Sequence, residues 1–292
     1  MLRRFAVGSV LSASLALGLS VGASAAPTLH LQVYNPGEKA FFPVSSVLVS
    51  GERDAVLIDA QFGKSQAAQL VQLVRASGKH LTTIYISHGD PDYYFGLETL
   101  HAAFPDARIV ATAATVAHIR ETAAGKLAFW GPKLGADAPK VTLTPSVLAG
   151  TRLMLEGKTL EVQGLKGDLS RSYVWIPSLK AVVGGVVLFN NQHVWMADTQ
   201  TPQSHADWLA TLDQIRALKP AVVVPGHTLP GAVADRDAPA YTAGYIRAFD
   251  AQTVRAASGD ALIAAMRQLY PQAGEPASLE ISARVAKGEM KW

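Results

Sequence analysis

Two hydrophobic periods alternate along this chain, and their order limits it to folds that layer helices on sheets. Residues 55–59 (AVLID) form a short apolar run that ends in an acid. Residues 64–77 change period: Ala67, Leu70, Val71 and Val74 fall on one helical face, and Gly78 supplies a stop. Residues 81–87 (LTTIYIS) return to a β-branched, buried strand. Strands are also expected at 29–34, 45–49, 108–111 and 221–224, with successive short strands and turns between 141 and 188. Helices are expected at 96–103, at 113–123 and from Thr201-Pro202, where Trp208, Leu212 and Ile215 make one stripe, and over most of 238–292. Residues 126–139, with Trp130 and several Gly and Pro, read as a loop able to form a lid. The class is therefore α/β, in two consecutive halves, with polar residues gathered at strand ends.

The 292 residues are 49% hydrophobic and 17% charged, enough for a sizeable core and against disorder. Residues 1–25 read differently. MLRR is basic, 5–22 are apolar and rich in small residues, and Ala23-Ser24-Ala25 fits a cleavage site, so the expectation is a signal peptide followed by one domain over 26–292. That places the protein in the periplasm or outside the cell. Removing Arg3 and Arg4 takes the net charge from +3 to +1. No basic run is present, so nucleic acid is not expected as a partner, nor a membrane span once the leader is gone; the expected partner is a small-molecule substrate. The chain has no Cys, which excludes disulfides and thiolate ligands.

The chemistry concentrates at SHGDPDYYFG, residues 87–96, on the C-terminal end of a buried strand, where open α/β sheets collect ligands. His88, Asp90 and Asp92 alternate on a loop stiffened by Pro91 and can point at one centre. Imidazole with carboxylates suits a divalent ion, and the carboxylates shift preference towards manganese, iron or magnesium. A solvated Asp-Pro-Asp turn is the alternative. Two more polar points, Gly167-Asp168 and Pro225-Gly226-His227, sit in a strand turn and at a strand end.

Taken together, LIDA (57–60), SHGDPDYYFG, GDLSRS (167–172), VVGGVVLF (182–189), TPQSHADWLATLDQIRAL (201–218) and VVVPGH (222–227) resemble the metallo-β-lactamase-fold superfamily over roughly residues 29–228. The resemblance implies an αββα sandwich with the site at one edge, between two βα halves. The family's usual His-x-His-x-Asp-His is here His88, Asp90, Asp92 and Tyr93; its next His falls on Asp168, its bridging Asp near Gly185, and its final His on His227. The implied first site is His88, Asp90 and Asp168; the second is Asp92, Tyr93 and His227 without a bridge. This implies about one metal per chain, zinc, manganese or iron, rather than two zinc ions. Asp92 is expected to hold water or act as base, His227 to bind metal or donate a proton, and Tyr93 to position substrate or donate to an oxyanion.

Outside that set, Asp59 is expected to orient ligands by hydrogen bonds, and Asp198 to do likewise or cap a loop. Tyr94 is expected to fill the domain edge, His193 to lie at the surface, and His118 and His205 to be structural or solvated. Two functions fit: an exported metal-dependent hydrolase of an ester, lactone, amide or phosphoester, with iron redox chemistry as a variant, or a non-catalytic periplasmic binding or accessory protein with a degenerate site.

Overall fold

A computed structural model describes residues 28–229 and 236–292; the expected leader lies outside the described residues. The first sheet has six strands in chain order: β1 (His30–Tyr34), β2 (Ser46–Ser50), β3 (Asp54–Ile58), β4 (His80–Ile86), β5 (Arg108–Ala111) and β6 (Ser146–Val147). β1 to β3 pair antiparallel and β3 to β6 parallel. The second sheet is built from β7 (Arg152–Leu155), β8 (Lys158–Leu165), β9 (Asp168–Ile176), β10 (Ala181–Val183) and, after a short β11 (Phe189–Asn190), β12 (Val222–Val224), in the order β12-β10-β9-β8-β7. β11 pairs separately with β13 (His227–Thr228). The helices are α1 (Lys64–Ser77), α2 (Pro91–Tyr94), α3 (Leu97–Ala103), α4 (Ala113–Leu134), α5 (Pro202–Ala217), α6 (Ala238–Arg255), α7 (Gly259–Leu269) and α8 (Pro276–Ala286).

The strand alternation sorts side chains into two cores. Val47, Val49, Val56 and Ile58 point inward and meet Val174, Ile176 and Val183 of the second sheet. Their neighbours Leu48, Ala55 and Leu57 point the other way, into a cluster with Leu70 and Val74 of α1. Across the molecule Tyr173, Trp175 and Val182 share that larger cluster with Trp208, Leu212 and Ile215 of α5. Each fully buried aliphatic side chain contributes about 1.5–3 kcal/mol. The result is the expected αββα sandwich.

Direct bonds join the two sheets. Ser172 donates through its N–H (3.0 Å) and its Oγ (2.6 Å) to the carbonyl of Ser87. At the opposite end Glu156, in the β7–β8 turn, accepts from the backbone N–H groups of Glu52, Arg53 and Asp54 at 2.7–2.9 Å.

One expectation is corrected. Residues 126–134 are not a loop: α4 runs unbroken to Leu134, with Pro132 inside it. Gly and Pro cost about 1 and 3 kcal/mol in a helix interior. Trp130 stands edge-on to Phe41, Phe42 and Phe62 at centroid distances of 5.4–5.6 Å. At about 0.5–1.5 kcal/mol each, such contacts offset that cost. The helix ends only at Gly135, whose φ is 58°.

Candidate active site

The site grows from the end of β4. Asp59 is fully buried at the end of β3, in the left-handed region at φ 65°. Its Oδ1 accepts from the Ser87 N–H and its Oδ2 from the Ser87 hydroxyl, both at 2.8 Å. This fixes the residue before His88. Burial pushes the Asp59 carboxyl up to about 7, despite the Ser87 bonds and the His88 charge that pull it down.

His88, Asp90 and Asp198 each offer a ligand atom, and these atoms lie within 4.8 Å of one another. His88 is 3% exposed, with Nδ1 3.1 Å from the Ser170 carbonyl. A carbonyl only accepts, so Nδ1 carries the hydrogen and Nε2 is left to take a ligand. Nε2 lies 2.9 Å from Oδ2 of Asp90. A bare imidazole nitrogen and a carboxylate oxygen are both acceptors, so this approach needs a proton or a cation between them.

The other Asp90 oxygen takes Lys126, whose Nζ is 2.6 Å away. The same ammonium reaches the Gly89 carbonyl and Nε2 of His118, each at 3.0 Å, so its three hydrogens all have acceptors. His118 stacks on His88 at 6.3 Å. Burial opposes ionisation of Asp90, but His88 and Lys126 outweigh it and hold its carboxyl well below the usual range. Asp198 accepts from the Trp292 indole N–H at 2.6 Å and lies 3.7 Å from Nη2 of Arg171. Arg171 is 2% exposed, and that nitrogen has no hydrogen-bond partner.

Beside this group, Nε2 of His227 is 3.5 Å from Oδ2 of Asp92. Burial, and then the Asp90 charge, push Asp92 well above the ordinary carboxylate range. Burial brings His227 down to about 3. The Tyr93 ring stands edge-on to both His88 and His227 at 5.5 Å, and its buried hydroxyl has no partner. Burial and the neighbouring acids raise that phenol, so it stays protonated as a donor.

These positions fit one divalent cation. Four carboxyl groups, Asp59, Asp90, Asp92 and Asp198, face two fixed cations, Lys126 and Arg171. One nitrogen with two carboxylate oxygens is a donor set for a hard or borderline ion. Asp168 is not in the converging group. Its Oδ1 accepts from the N–H and hydroxyl of Ser170 at 3.0 and 2.5 Å, a local turn that engages one oxygen of the carboxylate.

A cavity of about 310 Å³ opens over Asp90, Asp92 and His227. His193 is another correction: it is 2% exposed, borders this cavity, and its Nδ1 is 2.9 Å from the Tyr245 hydroxyl. His205 bridges Asp250 and the Thr199 carbonyl, a structural role. Tyr94 is fully buried against Phe95, in the core rather than at the expected domain edge.

The family model described as "Metallo-beta-lactamase superfamily" matches residues 40–227. The chain belongs to the metallo-β-lactamase superfamily. A metallo-beta-lactamase family protein from Thermus thermophilus superposes with a TM-score of 0.61 at 19% identity, over 88% of this chain and 91% of that one. A metallo-beta-lactamase from Pontibacter korlensis gives 0.55 at 19%, over 76% and 99%. Both likenesses show the fold. The uncharacterized protein YobT of Bacillus subtilis (strain 168) is 37% identical over 71 residues, 24% of this chain and 30% of its own length.

At Gly185, near which the resemblance places the superfamily's bridging acid, the backbone leaves no room for a side chain. Gly185 has φ 85°, and a Cβ there would stand 2.0 Å from the Ser172 carbonyl oxygen. No side chain fits without rerouting the strand. Lys126, His118, Arg171 and Asp198 are the site residues that spacing did not indicate. Only Asp198 carried a signal, as an acid in the loop after β11.

Proposed function

We propose that this chain is an exported metal-dependent hydrolase, acting on an ester, lactone, amide or phosphoester that enters the cavity. Superfamily membership supports hydrolase chemistry and metal binding. The observation that carries the reading is the 2.9 Å approach of His88 Nε2 to Asp90 Oδ2 with Nδ1 tied to Ser170. His88, Asp90 and Asp198 would hold the ion. When bound, it would act as a Lewis acid and lower the pKa of water. Lys126 then holds Asp90 in place through the outer oxygen, as metal-binding carboxylates are commonly held. Asp92 and His227 form the proton-handling pair: one carboxyl that holds a proton tightly beside one neutral imidazole. Tyr93 offers its free hydroxyl to a developing oxyanion. Elemental analysis of protein purified without chelator should find at most about one equivalent of metal per chain. Two tightly held zinc ions would overturn the assignment of Tyr93 and Gly185.

The second reading is a non-catalytic binding or accessory protein. Lys126 and Arg171, which already place two cations on Asp90 and beside Asp198, favour it. Absence of metal uptake from manganese, iron(II) and zinc would select it.

A further inference from the structure

One wall of the cavity is made by two chain segments that run side by side. The His193 N–H donates to the Gly274 carbonyl at 2.9 Å, and the Gly274 N–H to the Asn191 carbonyl at 3.0 Å. This sets Glu275, just before α8, beside Gln192 and His193. Glu275 is half-buried at the cavity, holds a left-handed backbone at φ 56°, and makes no side-chain bond to the helix it precedes. Gln192 also borders the cavity, is 1% exposed, and its Oε1 has no hydrogen-bond partner. Trp195 and Trp292, edge-on at 5.0 Å, line the same wall.

A half-buried carboxylate with no side-chain bond to its helix and two indoles therefore border the same cavity. A buried carboxylate without a counterion is costly. Indole faces attract cations, and most strongly where water is excluded. The cations elsewhere in the cavity are already engaged: Lys126 has three acceptors. Burial holds His193 down at about 4, so it adds no positive charge. Burial alone lifts Glu275 to about 7, which agrees with a carboxylate that lacks its partner.

We propose that this wall binds the ammonium group of the substrate, an alkyl- or arylammonium compound, with Glu275 accepting its N–H groups and Trp195 and Trp292 enclosing its charge. The inference rests on the cavity being the substrate pocket of the hydrolase. A neutral substrate would cover Glu275 without supplying a counterion.

Binding is measured without turnover, by calorimetry or indole fluorescence, on the whole protein before and after treatment with chelator. The probes are phenethylammonium and its near-isostere 2-phenylethanol. The expected result is at least about a tenfold preference for the ammonium. Glu275→Gln should erase the preference while leaving the alcohol's affinity unchanged. Trp195→Leu should reduce it, with each variant's fold checked by circular dichroism. Equal binding of the two probes, binding of neither, or an undiminished preference in Glu275→Gln overturns the proposal. A protein that takes up metal yet prefers the alcohol keeps the hydrolase reading and loses this one; a protein that takes up no metal yet prefers the ammonium does the reverse.

Discussion

Asp198 and Asp168 carry the same side chain in different surroundings. The Asp198 carboxylate stands near the ligand atoms of His88 and Asp90, whereas that of Asp168 closes a turn on Ser170. A metal that binds only the folded state stabilises it by about 2.7 kcal/mol at a hundred times its Kd. At about 2–4 °C per kcal/mol, that is a rise of several degrees in Tm. Asp198→Ala should abolish most of this rise with manganese, iron(II) or zinc, and Asp168→Ala should retain it. Melting curves with and without each metal decide between them; the reverse pattern would return Asp168 to the ligand set. His88, Asp90 and Asp92 were legible because they share one short loop after a strand whose burial is itself legible. Asp198 was not, because a distant loop brings it to the site and no local spacing records that. His193 is hidden by the same cause: it follows a strand like a surface residue, and residue 274 covers it from far along the chain.

Elements made of one period were readable, and those held by remote contacts were not. The buried face of α1 consists of Ala67, Leu70, Val71 and Val74, the four positions that periodicity selects. The second half of α4 contradicts its own Gly and Pro, because Phe41, Phe42 and Phe62 hold Trp130. The β7–β8 turn shows a third kind of dependence. Glu156 is only partly buried, yet three backbone N–H groups from the β2–β3 turn bring its pKa from 4.5 down to about 2. A carboxyl depressed in the folded state adds stability above its unfolded pKa and loses it as the pH falls through the folded value. Glu156→Gln should therefore lower Tm most above about pH 5, and the difference from wild type should close as the pH approaches 2. A Tm gap that stays constant across that range would show that the turn is held by something other than the carboxylate charge.

At the scale of the molecule, the site lies on the seam between the sheets. His88 pairs with Arg171 across it, and Ser87 with Ser172. The α/β class was legible from the alternation of periods, and the αββα arrangement only through the family resemblance that the ordered motifs carry. Among the described residues no helix is long and apolar enough to cross a membrane. Export is the remaining expectation: the intact mass of the secreted chain should begin at Ala26 or Pro27, and a soluble cytosolic form that keeps residues 1–25 would refute it. The seam also constrains how such a protein can change over generations. At Gly185 the backbone passes so close to Ser172 that one substitution cannot place an acid there. The backbone must move away first, and that movement would disturb Asp59, which accepts a bond from Gly185 and holds the residue before His88. Any residue larger than glycine at position 185 therefore requires a coordinated shift of this backbone and of Asp59.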